Sequence, residues 1–165
     1  ISAGFADVGE PGRRLHEEAL ARARAHGIRM LGPNCLGLMR PDIGLNASYA
    51  RTPARPGSVA LVSQSQAVVA ALLDFAHTAG FGFSSVVSTG AGSDIEFSEL
   101  LDFLAVDGAT RSIILFVEGV HDARAFLSAL DRAQRVAEVG LDLRQRKEVI
   151  RLLGDGAGGE LDRGF

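Results

Sequence analysis

The chain contains few of the residues that mark several common classes of protein. Its one cysteine, Cys35, excludes an internal disulfide and a cysteine-rich zinc site, and we expect no metal site. No apolar run approaches the roughly 18 residues that a membrane-spanning helix needs. The formal net charge of −3 gives no basic excess for binding nucleic acid or anionic lipid. We therefore predict a cytoplasmic protein that binds neither membrane nor nucleic acid.

The remaining composition is typical of a globular protein. Of the 165 residues, 47% are hydrophobic and 22% are charged. That length is enough for one domain with a real core or for pieces of two. The first residue is Ile rather than Met, and no charged and then apolar leader precedes a cleavage site. We therefore expect a fragment, or a chain that lacks its natural start.

Short apolar runs alternate with segments of helical periodicity, which predicts an α/β protein with right-handed crossovers and a parallel sheet. The predicted strands are 1–5, 28–31, 58–62, 83–88 and 112–117. The predicted helices are 13–26, 65–79, one that Ser93 or Asp94 caps and that ends near residue 105, and 122–138. No apolar strand is evident after the last helix. Residues 141–153 have an amphipathic pattern, and residues 154–159 are rich in glycine.

Three prolines and two glycines punctuate residues 41–57, which indicates a connection between two domains. We predict a remnant of one α/β domain at 1–45, a linker at 46–56 and most of a second α/β domain at 57–138. Residues 139–165 are predicted to be a divergent, partly disordered tail.

The turn at residues 32–37 has an unusual composition. Gly32 and Gly37 allow backbone angles that other residues avoid, Pro33 fixes its own φ, and Asn34 tolerates a left-handed conformation. The turn would therefore present Asn34 and Cys35 at the end of a strand. An ordinary tight turn between two strands explains the same spacing. No basic partner for the Cys35 thiol is evident, so we favour a packing role over a nucleophilic one.

Ser65 is predicted to cap the helix that follows the strand 58–62. The N–H groups of Gln66, Ala67 and Val68 would then be unpaired at the start of that helix, where unpaired donors and the partial positive charge attract anions. Ligands of open α/β sheets bind at the carboxyl ends of strands. A helix end that faces water explains the same pattern.

Glu118 directly follows the strand 112–117. A carboxylate at this place can orient an imidazole and stabilise its charged form. The alternative is an ordinary solvated acid at a strand end.

Several stretches in one order resemble the NDP-forming (ADP-forming) acyl-CoA synthetases, which are related to the α subunit of succinyl-CoA synthetase. The resemblance covers about residues 1–137. It implies a flavodoxin-like domain of the succinyl-CoA synthetase type at 57–138, preceded by the tail of a Rossmann-like CoA-binding domain. The stretches that carry it are residues 1–5, 32–37, 44–47, 59–65, 94–97 and 113–119.

The resemblance also implies an activity, that of an acid–thiol ligase. Such an enzyme joins a carboxylic acid to CoA with ATP, or makes ATP from acyl-CoA, and passes a phosphoryl group through a histidine. The implied cofactors are CoA and ADP or ATP, the nucleotide site lying on an ATP-grasp β-type domain or subunit outside this chain. By resemblance Ser65, Gln66 and Ala67 receive the phosphoryl group, Glu118 contacts the histidine, and Asn34 and Cys35 lie near it.

The sequence departs from the family pattern at two points. The family usually has glycine where this chain has Gln66, so a positive φ there would be strained, or the Gln66 amide would itself donate to the anion. The family histidine lies in a Ser-His-Thr-Gly loop after another strand, whereas no histidine follows His121. We therefore expect the chain alone to be inactive. Two alternatives are a non-catalytic CoA-ligase-like regulatory module of a protein acetyltransferase and a generic flavodoxin-like nucleotide-binding domain.

Overall fold

The computed structural model of the chain describes residues 4–143. Among these residues, six strands form one sheet in the order β2-β1-β4-β3-β5-β6. The strands are β1 (Gly37–Arg40), β2 (Leu45–Ser48), β3 (Pro56–Ser63), β4 (Phe83–Ser88), β5 (Ser112–Val117) and β6 (Glu138–Leu143). The helices are α1 (Glu10–Ala25), α2 (Gln66–Ala79), α3 (Phe97–Val106) and α4 (Ala123–Gln134), with short 3-10 helices at Phe5–Val8 and Pro41–Ile43.

The central strands are parallel and buried. β3 pairs with β4 and with β5, and β5 pairs with β6, all in the parallel sense. Leu61 of β3 lies between Val86 of β4 and Ile114 of β5. Helices cover both faces of these strands, which is why β3 and β5 have nearly continuous apolar sequences. The predicted α/β fold with a mainly parallel sheet is confirmed.

A separate apolar core lies on each face of the sheet. α2 packs its Val69 and Leu73 against one face, and α3 and α4 pack against the other with Leu101 and Phe126. The apolar pattern of the predicted helix 65–79 places Phe75 on its buried side, but Phe75 is 60% exposed. It lies two residues beyond Leu73, about 200° further round the helix, and so on the opposite side.

Local signals set most helix ends. Ser65 caps α2, and its Oγ accepts a hydrogen bond from the Val68 N–H at 3.4 Å, as predicted. Gly80, with a φ of 78°, ends the same helix. The predicted cap of α3 is wrong, because α3 begins after Glu96. Asp94 instead accepts a hydrogen bond from the Met30 N–H at 2.7 Å.

The amino-terminal third differs from the prediction in its strands. Residues 28–31 pair with no strand in the described part of the chain, whereas residues 37–40 form β1. Of the predicted strand 1–5, residues 1–3 lie outside the described residues, and Phe5 begins a 3-10 helix. An apolar run alone does not show whether a partner strand is available.

Residues 46–48 of the predicted linker 46–56 belong to β2. β1 is antiparallel to β2 on one side and to β4 on the other. One sheet therefore spans the predicted boundary between the two domains. The assignment of residues 1–45 to a CoA-binding domain stays a prediction.

The prediction that no strand follows the last helix is wrong as well. α4 ends at Gln134, and β6 runs parallel to β5 with Ile114 opposite Gly140. Gly140 and Asp142 interrupt the apolar pattern, which is why β6 is hard to see in the sequence. The amphipathic pattern of residues 141–153, which is compatible with a helix, begins inside β6. Residues 144–153 and the glycine-rich segment 154–159 lie outside the described residues.

Candidate functional site

The carboxyl ends of β3, β4 and β5 meet at one edge of the sheet, and a polar cavity of about 170 Å³ lies there. The turn after α1 and the start of the chain close its other sides. The side chains and backbone that line it include His16, Pro33, Asn34, Gln64, Ala91 and Glu118. Two of the predicted site residues, Asn34 and Glu118, are therefore brought together in space.

Gln64 ties the end of β3 to the end of β5. Its Oε1 accepts hydrogen bonds from the N–H groups of Glu118, at 2.6 Å, and Gly119, at 3.0 Å. Its Nε2 donates to the carbonyl oxygen of Gly119 at 2.9 Å. Three hydrogen bonds to two successive residues fix the backbone that carries the Glu118 carboxylate.

The turn at 32–37 forms the opposite wall. Asn34 has a φ of 58°, the left-handed conformation that its sequence context predicts. The turn is held against the end of β4, because the Ala91 N–H donates to Pro33 O at 3.0 Å and the Leu36 N–H donates to Ser88 Oγ at 3.0 Å. A β-carbon on Gly90 would lie 2.2 Å from Pro33 O, so only glycine fits there.

Cys35 lies behind this wall rather than in the cavity. It is 2% exposed, and its thiol donates to the carbonyl oxygen of Leu31 at 3.5 Å. Gly32 packs beside it, since a β-carbon on Gly32 would lie 2.8 Å from the Cys35 Sγ. This geometry suits a packing residue.

Ser65, Gln66 and Ala67 begin α2 beside the cavity without lining it. The first intrahelical hydrogen bond runs from the Val69 N–H to Ser65 O at 3.2 Å, so the N–H groups of Gln66 and Ala67 point out of the start of the helix. Gln66 is helical and its φ is not positive, so the expected backbone strain is absent.

The Gln66 side chain connects α2 to the cavity wall. Its Nε2 donates to Asn34 Oδ1 at 2.9 Å, and its Oε1 accepts a hydrogen bond from the Tyr49 hydroxyl. The amide nitrogen therefore binds Asn34 in this structure. Through Asn34, the first residue of α2 contacts the cavity that Glu118 lines.

Sequence reasoning missed His16 and Gln64. His16 lies on α1, and its ring makes an edge contact with Phe5 at 6.2 Å between centroids. No local pattern marks His16, because it reaches the cavity through the packing of α1. Gln64 was open to prediction as a polar residue at a strand end. His121 does not line this cavity, and its Nδ1 lies 3.5 Å from Glu96 Oε1.

Ion pairs and a backbone hydrogen bond connect residues 29–30, which precede the turn, to Asp94 and Glu99 near the start of α3. The backbone N–H of Met30, and then the Arg29 guanidinium, hold the pKa of Asp94 below its ordinary value. Arg29 also contacts Glu99 at 2.8 Å, and the pKa of Arg29 is raised by hydrogen bonds to Glu99 and Asp94. The segment at residues 29–30, which leads into the turn at 32–37, is thus held in place by ion pairs.

Residues 4–143 contain neither the side-chain cluster of a metal site nor a membrane-spanning helix. No group of three or more His, Cys, Asp or Glu side chains there has the arrangement of a metal site. No helix in the same range is long and apolar enough to span a membrane.

Residues 56–140, just over half of the chain, match the family described as the succinyl-CoA ligase-like flavodoxin domain. The chain belongs to this family. The matched residues include six complete elements, namely β3, α2, β4, α3, β5 and α4. The predicted family relationship is therefore confirmed.

Individual relatives of this flavodoxin domain extend the match toward the start of the chain. Acetate–CoA ligase [ADP-forming] I of Archaeoglobus fulgidus is 39% identical over 77% of this chain and 18% of its own length. The subunit alpha of acetate–CoA ligase [ADP-forming] I of Pyrococcus furiosus is 37% identical over 91% of this chain and 30% of its own length. The chain thus spans less than a third of these curated relatives.

A solved structure gives the same result. The dinucleotide-forming acetyl-coenzyme A synthetase 1 of Ca. Korarchaeum cryptofilum, in complex with phosphate and ADP, superposes with a TM-score of 0.83 at 34% identity. The match covers 90% of this chain and 32% of that one. It therefore includes residues on both sides of the predicted domain boundary.

Proposed function

We propose that the chain is the phosphoryl-binding part of an ADP-forming acyl-CoA synthetase. In this proposal the whole enzyme converts a carboxylic acid, CoA and ATP to acyl-CoA, ADP and phosphate. An ATP-grasp domain or subunit supplies the nucleotide site. A histidine carries the phosphoryl group between that nucleotide site and the site on this chain. The names of the relatives, ADP-forming acetate–CoA ligases, support this class of reaction.

One observation carries the proposal. Asn34 accepts a hydrogen bond from Gln66, the first residue of α2, and lines the same cavity as Glu118. The donor-rich start of α2 is therefore connected through Asn34 to the cavity that the Glu118 carboxylate lines. A phosphorylated imidazole needs both, because its phosphoryl oxygens accept hydrogen bonds and its second ring nitrogen donates one in the protonated, charged form that a carboxylate stabilises.

The residues of this chain would divide the work as follows. The N–H groups of Gln66 and Ala67 hold the phosphoryl oxygens, and Ser65 fixes the helix start that carries them. Glu118 accepts a hydrogen bond from the imidazole ring and keeps the ring in one orientation. CoA, when bound, supplies the thiol that takes the acyl group.

A regulatory module without catalysis is the second candidate. The observation that favours it is that His121 contacts Glu96 and does not line the cavity that Glu118 lines. A regulatory domain has no need to bind a phosphorylated imidazole, so binding of that group separates the two candidates.

The test is a calorimetric titration of the 165-residue chain with N-phosphoimidazole, inorganic phosphate and imidazole. We expect N-phosphoimidazole to bind at least tenfold more tightly than either part alone. Glu118→Gln should lower the affinity for imidazole and N-phosphoimidazole about tenfold, equivalent to about 1.4 kcal/mol. The affinity for phosphate should change little.

Glu96→Gln is the matched control, because Glu96 is a carboxylate near the same edge that does not line the 170 Å³ cavity. It should leave all three affinities unchanged. If N-phosphoimidazole binds no better than phosphate, or if both variants behave alike, the proposed role is wrong.

A further inference from the structure

A second cavity, of about 180 Å³, lies between β1, β4 and α3. Its walls are almost entirely apolar. Leu38 and Val87 form its floor on the sheet, and Leu100, Phe103 and Leu104 of α3 form its roof. An apolar cavity of about 150 Å³ in another protein binds benzene, so this one has room for a single ring.

Two polar atoms lie in this apolar wall without a partner. The Arg40 Nε and the Ser85 Oγ are both buried, and neither has a hydrogen-bond partner among the described residues. Ser85 is 2% exposed. Buried polar groups are almost always hydrogen-bonded, and leaving one unsatisfied is costly. Two such atoms in one cavity therefore point to a shared ligand.

The strand register places Arg40 and Ser85 on neighbouring strands. Leu38 pairs with Val87 and Met39 with Val86 in antiparallel β1 and β4. Continuing this register puts Arg40 opposite Ser85. Because side chains alternate between the faces of a strand, both residues lie on the same face as Leu38 and Val87.

The charge around Arg40 selects the kind of ligand. Its Nη2 already contacts Asp42 Oδ2 and Asp107 Oδ1, each at 3.2 Å, and its guanidinium lies 5.4 Å from the centre of the Phe103 ring. Two carboxylates thus compensate one cation. A ligand carboxylate would bring a third negative charge into an apolar site, which is unfavourable.

We propose that this cavity is a binding site for a neutral one-ring molecule with a single hydroxyl or carbonyl oxygen. The ring packs between Leu38, Val87 and the α3 side chains. The oxygen accepts a hydrogen bond from Arg40 Nε–H, and it exchanges a second one with the Ser85 hydroxyl. This inference does not depend on the phosphoryl site.

The test uses benzyl alcohol, toluene and benzoate as probes of similar size, each titrated into the ¹⁵N-labelled 165-residue chain and followed by NMR. We expect benzyl alcohol to shift the amide signals of residues 38–40, 85–87 and 100–104. Toluene and benzoate should each bind at least tenfold more weakly. Equal binding of benzyl alcohol and toluene, tightest binding of benzoate, no binding at all, or shifts elsewhere would overturn the proposal.

Two neighbouring serines give a matched pair of variants. Ser85→Ala should abolish the preference for benzyl alcohol over toluene without lowering stability, because Ser85 has no partner to lose. Ser84→Ala should keep the preference while lowering stability, because Ser84 Oγ is hydrogen-bonded to Thr110 Oγ1 at 2.8 Å.

Leu100→Phe, which fills the cavity from α3, should prevent benzyl alcohol from binding and gives an independent check. Binding that survives Leu100→Phe unchanged would also overturn the proposal.

Discussion

Gln64 Oε1 accepts a hydrogen bond from the Glu118 N–H at 2.6 Å, so a side chain at the end of β3 positions the residue that ends β5. The two residues are 54 positions apart in the sequence. The adjacency of β3 and β5 in the parallel sheet brings them together. The position of the Glu118 carboxylate thus depends on the pairing of β3 with β5 rather than on the loop that follows β5.

Replacing this connection should lower stability. Gln64→Ala removes three hydrogen bonds and leaves the partly buried N–H of Glu118 without its acceptor. We expect the free energy of unfolding to fall by about 1–3 kcal/mol, measured by urea denaturation. Gln134→Ala, an exposed glutamine in the last turn of α4, is the control and should change it by less than about 0.5 kcal/mol. Equal effects of the two variants would contradict this role of Gln64.

Alanine substitutions at two glycines of one loop should distinguish the cost of backbone strain from the cost of a steric clash. Gly90 and Gly92 have φ values of 54° and 58°. A β-carbon on Gly92 meets nothing within 4 Å, whereas one on Gly90 would lie 2.2 Å from Pro33 O and 2.4 Å from Asn34 O. Gly92→Ala should cost about 1–2 kcal/mol through its φ alone. Gly90→Ala should cost a further 1–3 kcal/mol, about the penalty for overpacking, in the same urea assay. Similar losses of unfolding free energy in both variants would show that the turn at residues 32–37 does not pack closely against Gly90.

The sequence predicts the parallel core well, because its signals are local. The apolar run of β3, the Ser65 cap and the Gly80 stop of α2 each act within a few residues, and the structure has all three. The candidate site was predicted in part for the same reason, since Asn34 and Glu118 follow recognisable turn and strand-end patterns.

The elements that prediction missed depend on distant partners. β6 has an interrupted apolar pattern and is a strand because β5 offers it a free edge. Residues 28–31 have an apolar pattern but no partner strand among the described residues. His16 reaches the cavity only because α1 packs there, which the spacing of its own helix does not reveal.

The Asp94 cluster should make stability depend on acid pH. The pKa of Asp94 is lowered in the folded state by the Met30 N–H and by Arg29. A lowered pKa contributes stability above the unfolded value, about 3.9, and that contribution is lost as pH falls through the folded pKa. The difference in unfolding free energy between the wild type and Asp94→Asn should therefore be constant near neutrality and shrink as pH falls below about 4.

The control for this pH series is Asp131→Asn, which removes a carboxylate from an exposed pair with Arg135 on α4. Such pairs contribute little to stability, so this variant should unfold with nearly the wild-type free energy at neutral pH. A wild-type advantage over Asp94→Asn that grows toward low pH would contradict the assigned direction of the pKa shift.

The chain alone should not catalyse the whole ligase reaction. The proposal needs an imidazole that carries the phosphoryl group, and residues 122–165 contain no histidine that could supply it to the isolated chain. With acetate, CoA and ATP, the purified chain should form no acetyl-CoA above the background of a heat-denatured sample. Acetyl-CoA production that increases with the concentration of the chain would contradict this expectation.

The central claim is that the backbone N–H groups at the start of α2 bind the negative charge. Gln66→Ala removes only the side chain, whereas Gln66→Pro removes the side chain and the N–H. Proline is tolerated in the first helical turn, and Ser65 before it is already extended, with φ −90° and ψ 119°.

The deciding measurement is the affinity of these two variants for inorganic phosphate, determined by calorimetry on samples whose helix content matches the wild type by circular dichroism. We expect Gln66→Ala to bind phosphate within about threefold of the wild type and Gln66→Pro to bind it about tenfold more weakly, a loss of about 1.4 kcal/mol. Equal affinities in the two variants would show that the start of α2 does not bind the anion, and would contradict the account.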